Sequence, residues 1–475
     1  MSQSPNVLLL IFDSLRADTA ASDVMPTLDR LRERGTDFES AFAAGPWTPP
    51  SHGAIFSGRY PSTTGFNGAW PSMPESVPLV AELFENAGYD TLGVPGPSKM
   101  GSPVGLDRGF TDYYEVYEDI AERPSIGYAK QVLTDRSVRR DFLRTVFRGN
   151  DYYTGLRFEK LRSLLGEADA PWFGMANLTT VHAPYSVPEP YLREETPGLS
   201  RPWPPVLEDF GRTPTLDCED VRSDRLFPAA DGADATTIAM RQTDGDGLNS
   251  VELNVLRAWY RACARYLNDR LADFLDWLES TNEVDDTVIV ATADHGEFFG
   301  EHGALYHGNF LHDEVLHVPL IITGPGVPEG ESRCDLVSLV DLLPTLGTLT
   351  GIDTPGTEGQ PLFGDGTRDA VFAEEATSDE SGTAPDVSRA VRDRYEAGRK
   401  SVRTDSLRLE RSSDGTERLY RVPSGERVES PDEAVLTNLR ELLSETLGDD
   451  FHPGTRASSE VSEGVKRNLR ELGYR

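Results

Sequence analysis

Lysine is scarce in this chain, and acidic residues greatly outnumber basic ones. Only five of the 46 basic residues are lysines, whereas Asp and Glu total 79 and the formal net charge is −33. So acidic a chain argues against nucleic-acid binding, which depends on neutralising phosphates with basic side chains. Acid excess with little lysine is typical of a halophilic protein in a salt-rich cytoplasm, where ions screen charge repulsion.

Cysteines and long apolar runs are also few. Cys218, Cys263 and Cys334 are odd in number and far apart, so the sequence predicts neither a disulfide framework nor a zinc knuckle. The apolar run Val7–Phe12 has six residues, against about 20 for a membrane-spanning helix. The first six residues lack the basic start of a signal peptide. We therefore expect a cytoplasmic protein with no membrane insertion.

Short apolar runs alternate with helical patterns over residues 1–365, which predicts an α/β sandwich with a large, mostly parallel sheet flanked by helices. The expected strands are Val7–Phe12, Thr91–Val94, Trp172–Asn177, Thr287–Thr292 and Val318–Thr323. The expected helices are Met25–Arg34, Val77–Ala87 and Val251–Glu279. Residues 112–170 and 211–250 interrupt the alternation, and we interpret both stretches as insertions.

The pattern changes after residue 365. Residues 366–450 predict a small α+β subdomain with an antiparallel sheet, followed by a polar tail at 451–475. Its expected strands are Val371–Glu374, Lys400–Thr404, Leu407–Glu410 and Arg418–Arg421, and its expected helix is Pro431–Leu447.

Carboxylates follow two of the predicted parallel strands. Asp13 comes directly after Val7–Phe12, and Asp294-His295 come shortly after Thr287–Thr292. In open α/β sheets ligands bind beyond the carboxyl ends of the strands, so these three side chains are a candidate first shell for a divalent cation. The alternative for each aspartate is a helix cap or a turn.

A hydroxyl begins a predicted helix in a third segment. Thr48 followed by Pro49 fits an N-cap with proline at the first helical position, and Gly58 fits the end of the helix. The positive field of a helix N-terminus favours an alkoxide and a bound anion. The alternative is simply a well-capped short helix.

Taken in this order, the three segments resemble the sulfatase-like branch of the alkaline phosphatase superfamily. Further matches bring the resemblance to about 350 to 400 residues. They are Thr180–Tyr185 (TVHAPY), Tyr260–Leu271, Asp294–Gly303 (DHGEFFGEHG), Asp313–Ile322 and Ser338–Gly351. The resemblance implies an enzyme that hydrolyses or transfers an ester, with a metal bound by Asp13, Thr48, Asp294 and His295.

The nucleophile position departs from that family. Sulfatases use a Cys or Ser that is oxidised to formylglycine within a Cys/Ser-x-Pro-x-Arg motif, whereas here Thr48 stands first and His52 stands in place of the arginine. Oxidation of threonine gives a ketone, so we expect no formylglycine. Relatives with an unmodified threonine are phosphodiesterases, phosphoethanolamine transferases and lipoteichoic acid synthases.

Other polar residues complete the expected site. The resemblance implies that His182 and His307 are catalytic, although either could also hold a second metal or pack at the surface. His52 and Arg59 are candidate substrate-binding residues. Ser14 stands where sulfatases usually have a second Asp, which favours Mn²⁺ or Zn²⁺ over Ca²⁺, with Mg²⁺ also compatible.

The sequence therefore predicts a metal-dependent enzyme that cleaves a phosphomonoester or phosphodiester through a covalent Thr48 intermediate. Phosphorus is favoured over sulfur because a sulfo-threonine lacks the elimination route that an aldehyde hydrate provides. The alternatives are a sulfatase that uses Thr48 directly and a non-catalytic protein that binds an anionic glycan. The expected partner is an anionic ester, such as a glycan or an envelope precursor.

Overall fold

The computed structural model describes residues 4–68, 71–96, 100–116, 153–183, 185, 187–196, 235–364, 366–377 and 387–452. Within these ranges a large mixed sheet forms the centre of the molecule, and its strands lie in the order β12-β2-β11-β7-β1-β6-β4-β5. Their bounds are β1 Asn6–Phe12, β2 Gly35–Phe38, β4 Asp90–Val94, β5 Asp112–Tyr113, β6 Trp172–Leu178, β7 Thr287–Ala293, β11 Leu320–Thr323 and β12 Glu331–Arg333.

Three parallel strands form the middle of this sheet. β1 lies between β6 and β7, and every residue of the three is buried. Phe12 pairs with Leu178 on one side and with Ala293 on the other, so the three strands end at the same level. Their continuous apolar runs are what a strand buried on both faces requires.

Helices cover both faces of the sheet. Phe173 stacks on Phe84 at 4.8 Å, whereas a Cβ on Gly174 would lie 2.9 Å from Leu165. Because successive strand residues point to opposite faces, the helices that carry Phe84 and Leu165 lie on opposite sides. The helices are α1 Ala17–Ala20, α2 Thr27–Glu33, α3 Thr48–Ser57, α4 Pro61–Thr64, α5 Val80–Asn86, α6 Thr154–Glu167, α7 Glu189–Glu195, α8 Ala235–Asp244, α9 Ser250–Ser280, α10 Asp313–Leu316, α11 Leu342–Thr350, α12 Arg389–Glu396 and α13 Glu433–Leu447.

A second, antiparallel sheet follows in the chain. Its strand order is β14-β15-β16-β17, and α13 packs against it. The strands are β14 Val371–Glu375, β15 Arg399–Arg403, β16 Leu407–Ser412 and β17 Glu417–Arg421. This confirms the predicted antiparallel sheet and its helix, while the division of the chain at about residue 365 stays a prediction.

Small strands complete the described architecture. β3 pairs with β10 and β13, and β8 pairs with β9. Their bounds are β3 Ala41–Phe42, β8 Phe298–Phe299, β9 Leu305–Tyr306, β10 His317–Val318 and β13 Val337–Ser338.

One expected strand is divided in two. The predicted strand Val318–Thr323 is interrupted at Pro319, so β10 joins the small sheet and β11 joins the large one. Proline has no N–H to donate to a ladder, which explains the break. β11 also runs antiparallel to β7, so the sheet is mixed rather than wholly parallel.

The proposed insertion at 112–170 is partly wrong. Asp112–Tyr113 pairs with β4, and α6 packs on β4 and β6, so both belong to the central layers. The remainder of that stretch, residues 117–152, lies outside the described residues. Residues 211–234 of the second stretch and the tail from 453 onward also lie outside them.

No described helix combines the length and the apolar content needed to cross a bilayer.

The core prediction concerns Leu10, which is fully buried at the centre of β1. We expect Leu10→Ala to lower the free energy of unfolding by about 2 to 5 kcal/mol, because it removes buried methyl groups and leaves a cavity. Urea denaturation measures the change. Val251→Ala is the control, since Val251 is 43% exposed and should change stability by less than about 0.5 kcal/mol. Equal losses in the two variants would contradict this account of the core.

Candidate active site

The ends of the central strands bring acidic side chains together. Asp13 follows β1 and Asp294 follows β7, and Asp13, Asp294 and His295 have no exposed surface. The Asp13 N–H donates to the Leu178 carbonyl (3.1 Å), which holds this residue beside the end of β6. The parallel register of β1 and β7 thus places two carboxylates and an imidazole at one edge of the sheet.

The ligand atoms of these three residues have the spacing of a metal site. His295 Nε2 lies 3.3 Å from Asp294 Oδ2 and 3.6 Å from Asp13 Oδ1. All three groups offer atoms within 4.8 Å of one another. Bonds of about 2.0 to 2.2 Å to one ion separate neighbouring ligands by about 3.3 Å, so the arrangement matches a shared cation.

The hydrogen bonds of this group use its outward-facing atoms, so the atoms that face one another remain available to an ion. His295 Nδ1–H donates to the Gly296 carbonyl (2.9 Å), and Asp294 Oδ1 accepts from the backbone N–H groups of Ser14 and His295. Among the residues that the structure describes, Asp13 Oδ2, Asp294 Oδ2 and His295 Nε2 are buried without a hydrogen-bond partner. Because buried polar atoms are nearly always paired, these three atoms fit a divalent cation.

The electrostatics of the group are those of a site that a cation would stabilise. Burial, together with the neighbouring charge of Asp13, raises the pKa of Asp294 well above its usual value. Burial lowers the pKa of His295 well below its usual value, so the imidazole is neutral, as a metal ligand must be. A bound cation would stabilise both carboxylates in their charged forms.

A strained turn follows Asp13. Ser14 has a φ of 67°, which is uncommon for a residue with a side chain, and its N–H reaches Asp294 Oδ1. The Tyr260 hydroxyl holds the turn by donating to the Ser14 carbonyl and accepting from the Arg16 N–H, both at 2.8 Å. The Arg16 guanidinium itself pairs with Asp18 and Glu301, so it belongs to a surface ion-pair network.

Helix α3 brings Thr48 to the same edge. Thr48 is fully buried and is the first helical residue rather than the N-cap, which is Trp47. The Ser51 hydroxyl donates to the Asp294 carbonyl (2.6 Å), and His52 Nδ1 lies 2.9 Å from the Thr48 carbonyl and 3.4 Å from Asp294 Oδ2. The first turn of α3 therefore lies directly against the carboxylates. Gly58 ends the helix at a φ of 64°, as predicted.

The start of α3 has fewer donors than a usual helix N-terminus. Pro49 and Pro50 occupy the second and third helical positions, and proline has no backbone N–H. An anion at this end therefore gains less from backbone hydrogen bonds than the sequence prediction assumed.

His52 makes protein contacts where we expected contact with substrate. Its Nδ1–H donates to the Thr48 carbonyl, and its Nε2 accepts from Asn177 Nδ2 (3.0 Å). Burial lowers the pKa of His52 to about 4, so the ring is neutral and both nitrogens are in use. Through these two hydrogen bonds His52 connects α3 to the end of β6.

Arg59 is placed away from the site by the helix that separates it from Thr48. A helix rises about 1.5 Å per residue, so Arg59 lies roughly 15 Å from Thr48, beyond the opposite end of α3. Its guanidinium packs against Gly356, where an added Cβ would come within 2.3 Å of Arg59 Nη2. Arg59 thus lies at the opposite end of α3 from Thr48, and a role for it in substrate binding stays a prediction.

The imidazole rings of His182 and His307 lie close to His295, a candidate metal ligand. The His307 ring centroid lies 4.5 Å from that of His295 and 4.8 Å from that of His182. His182 Nδ1 bonds to the Ala183 carbonyl. His182 follows β6 and His307 follows β9, so two separate segments bring these imidazoles to the edge where Asp13 and Asp294 lie.

Sequence reasoning missed two residues beside His307. Glu297 Oε1 accepts from His307 Nδ1 (2.9 Å), and Glu297 Oε2 accepts from the Tyr185 hydroxyl (3.0 Å). Burial raises the pKa of Glu297 to about 8, while the His182 charge and the Tyr185 hydrogen bond act against the rise. The signal was available, since Glu297 ends the Asp-His-Gly-Glu run and Tyr185 ends TVHAPY.

The C-terminal sheet holds the segment that follows His307. Arg399 donates to the Asn309 carbonyl, Arg408 to the Leu311 carbonyl, and Arg403 pairs with Asp313 at 2.6 Å. The same sheet also reaches the segment before Thr48, because Trp47 Nε1 donates to Glu375 Oε2 (2.7 Å).

A second group of metal-ligand residues, His302, His312 and Glu314, does not form a site. The two imidazole rings are stacked, with centroids 3.9 Å apart and planes inclined by 12°. A ring nitrogen holds a metal in the plane of its ring, and stacked planes do not meet at one ion. Arg408 Nη2 also donates to His312 Nδ1 (3.0 Å), which occupies one of the ligand atoms.

Comparison with known proteins identifies the family of this chain and solved structures that share its fold. A family model for sulfatases matches residues 5–352. A choline-sulfatase from Rhizobium meliloti is 27% identical over 385 residues, which are 75% of this chain and 70% of the relative. An N-acetylglucosamine-6-O-sulfatase from Bacteroides thetaiotaomicron is 25% identical over 365 residues, 70% of this chain and 64% of the relative.

Solved structures share the fold. A phosphonate monoester hydrolase of Agrobacterium radiobacter superimposes with a TM-score of 0.70 over 93% of this chain and 95% of the other, at 23% identity. At this identity the match shows the architecture, which confirms the predicted α/β sandwich with its small C-terminal antiparallel sheet.

The metal prediction uses thermal stability as its measurement. We expect Mn²⁺ or Zn²⁺ to raise the Tm of metal-stripped protein, because a cation that binds only the folded state stabilises it by about 2.7 kcal/mol at 100 times its Kd. Asp294→Asn should abolish most of that rise. Glu314→Gln is the matched control, since Glu314 belongs to the stacked-histidine group and should leave the rise intact. An equal metal response in all three proteins would contradict the assigned ligands.

Proposed function

Because the chain belongs to the sulfatase family, we propose that it hydrolyses an anionic phosphomonoester or phosphodiester with Thr48 as the covalent nucleophile. The observation that carries the proposal is the group of Asp13, Asp294 and His295 ligand atoms against the first turn of α3, which begins at Thr48. The family assignment supports an ester hydrolase, and the nature of the nucleophile supports the choice among esters.

Asp13, Asp294 and His295 would hold the metal, with the Thr48 hydroxyl as a further ligand. A divalent ion bound there supplies positive charge beside the ester and lowers the pKa of a coordinated hydroxyl. Two carboxylates and one imidazole favour Mn²⁺ or Zn²⁺, and Mg²⁺ is compatible with the oxygen ligands. His182 and His307 are candidate ligands for a second ion, although neither belongs to the group of Asp13, Asp294 and His295.

Thr48 performs the first displacement. Its hydroxyl gives up its proton to solvent, and its oxygen then forms a bond to phosphorus while the bond from phosphorus to the leaving oxygen breaks. The leaving oxygen takes a proton from a nearby imidazolium, for which His307 and His182 are the candidates. The products of this step are a phospho-threonine and a free alcohol.

Water completes the reaction. It attacks phosphorus and returns a proton to the imidazole, while the bond between phosphorus and the Thr48 oxygen breaks and that oxygen takes a proton back from solvent. One water and the ester are thereby converted into an alcohol and either phosphate, from a monoester, or a phosphomonoester, from a diester, and Thr48 and the imidazole are restored. An acceptor alcohol in place of water would give a transferase with the same residues.

Phosphorus is preferred because Thr48 is a secondary alcohol. An aldehyde hydrate can expel sulfate by elimination, whereas a sulfo-threonine needs a second displacement at sulfur. The relatives named choline-sulfatase and N-acetylglucosamine-6-O-sulfatase nevertheless favour a second candidate, direct sulfate-ester hydrolysis by Thr48. They also make a sulfated or phosphorylated glycan a reasonable substrate class. The non-catalytic alternative is disfavoured by the complete ligand group.

The nucleophile prediction uses three variants of α3. We expect Thr48→Ala to lower kcat by at least about 1,000-fold, because no other oxygen replaces the lost nucleophile. Thr48→Ser should retain measurable turnover and form an adduct that intact-mass spectrometry detects. Ser57→Ala is the control, since Ser57 lies at the other end of α3 and donates to the Gly53 carbonyl. Full activity of Thr48→Ala would refute a covalent Thr48 mechanism.

The substrate prediction compares esters that share one leaving group. In about 2 M KCl, which screens the acidic surface, bis(p-nitrophenyl) phosphate and p-nitrophenyl phosphate are compared with p-nitrophenyl sulfate. We expect the better phosphate ester to exceed the sulfate by about 10-fold or more in kcat/KM, a difference typical of transition-state discrimination. Faster turnover of the sulfate would replace the phosphoester proposal with the sulfatase candidate.

A further inference from the structure

A buried carboxylate outside the metal group lies directly behind His307. Glu297 has no exposed surface, and its two oxygens face two different partners. Oε1 accepts from His307 Nδ1 at 2.9 Å, and Oε2 accepts from the Tyr185 hydroxyl at 3.0 Å. In its charged form, which the Tyr185 hydrogen bond favours, Glu297 can only accept hydrogen bonds and therefore selects the imidazole tautomer with hydrogen on Nδ1.

We propose that Glu297 is a positioning residue that fixes the tautomer and orientation of His307, and that Tyr185 holds Glu297 in place. The inference rests on the proposed function, because it assigns His307 the proton transfer to and from the ester. With Nδ1–H donated to Glu297, His307 would exchange a proton with the leaving oxygen and with water through Nε2.

The surroundings keep Glu297 in one position. Its backbone N–H donates to the Glu314 carbonyl (3.1 Å), and its carbonyl accepts from Arg16 Nη1 (3.0 Å). The Tyr185 ring packs edge-on against Tyr260 at 5.6 Å, and Tyr260 is the residue that holds the turn after Asp13. The carboxylate is therefore anchored to the same framework as the metal ligands.

His307 is likewise tied to the nucleophile. The next residue, Gly308, donates its N–H to the Pro46 carbonyl (2.9 Å), two residues before Thr48. The backbone beside His307 is thus held to the segment before Thr48, and the His307 ring is held by the Glu297 carboxylate. These contacts prevent rotation of the His307 ring. Displacing a proton donor by about 1 Å lowers the reaction rate substantially.

The main test is a double-mutant cycle on Glu297 and His307. Glu297→Gln keeps the shape, but its amide can donate to Nδ1 and favour the other tautomer. We expect kcat to fall by about 10- to 100-fold, as for other carboxylates that orient a functional histidine, with KM and bound metal nearly unchanged. In a His307→Ala background the same substitution should have almost no further effect, because Glu297 acts only through the imidazole.

Two more variants support the cycle. Tyr185→Phe removes one hydrogen bond to Glu297 and should give a smaller loss of kcat, which also disappears in the His307→Ala background. Glu417→Gln is the matched control, because Glu417 is an ion-paired glutamate of β17 that contacts Arg411 and Arg440. It should leave kcat near that of the wild type. If Glu297→Gln does not fold, the Tyr185→Phe cycle decides the question.

The outcomes separate this inference from the proposed function. If Thr48→Ala is inactive but Glu297→Gln has wild-type kcat, the positioning role is wrong and the nucleophile stands. An equal loss from Glu297→Gln with and without His307 would also overturn the inference, because it would show a general structural effect. If Thr48→Ala is fully active, the proposed function itself fails.

Discussion

The repulsion between two buried carboxylates is the constraint on which this site depends. Asp13 and Asp294 are held side by side at the ends of β1 and β7, where neither reaches water. Burying like charges together costs free energy unless a cation compensates for it, and the raised pKa of Asp294 reflects that cost. The neutral His295 imidazole completes a ligand group that a divalent ion satisfies, and the buried first turn of α3 puts Thr48 beside it.

The rest of the molecule keeps this group rigid. The parallel strands fix the aspartates through backbone pairing, so the ligands do not depend on mobile loops. The antiparallel sheet holds the segment after His307 in place, since Arg399, Arg403 and Arg408 all contact it. The use of arginine at these contacts agrees with its planar fork of donors, which binds carbonyls and carboxylates better than lysine does. The small sheet thereby takes part in shaping the site, although it supplies none of the proposed ligands.

The central strands could be predicted from sequence because their signal is continuous. β1, β6 and β7 are uninterrupted apolar runs, and polar residues follow at the ends that carry the site. The strands β2 and β12 at one side of the sheet could not be predicted in the same way, since Gly35–Phe38 and Glu331–Arg333 are short and carry several polar residues. The split at Pro319 and the core position of α6 depend on tertiary pairing, which local patterns do not determine.

Site residues that belong to a sequence motif could be predicted. Residues whose role depends on the direction of a helix or on a partner far away in the sequence could not. Asp13, Asp294 and His295 come together as expected. Arg59 is near Thr48 in sequence, but the helix between them carries it to the other end. His52 was judged from its position after the nucleophile, whereas its role depends on Asn177, which is 125 residues away. Glu297 ends the Asp-His-Gly-Glu run, but the sequence alone does not show that this one glutamate of an acidic chain contacts His307.

Anomalous X-ray diffraction from a crystal soaked in Mn²⁺ tests the central claim most directly. This account predicts a peak about 2.0 to 2.5 Å from Asp13 Oδ2, Asp294 Oδ2 and His295 Nε2, with the Thr48 hydroxyl also within reach of the ion. A peak elsewhere, or no peak at the ends of β1 and β7 while the protein turns over substrate, would contradict it.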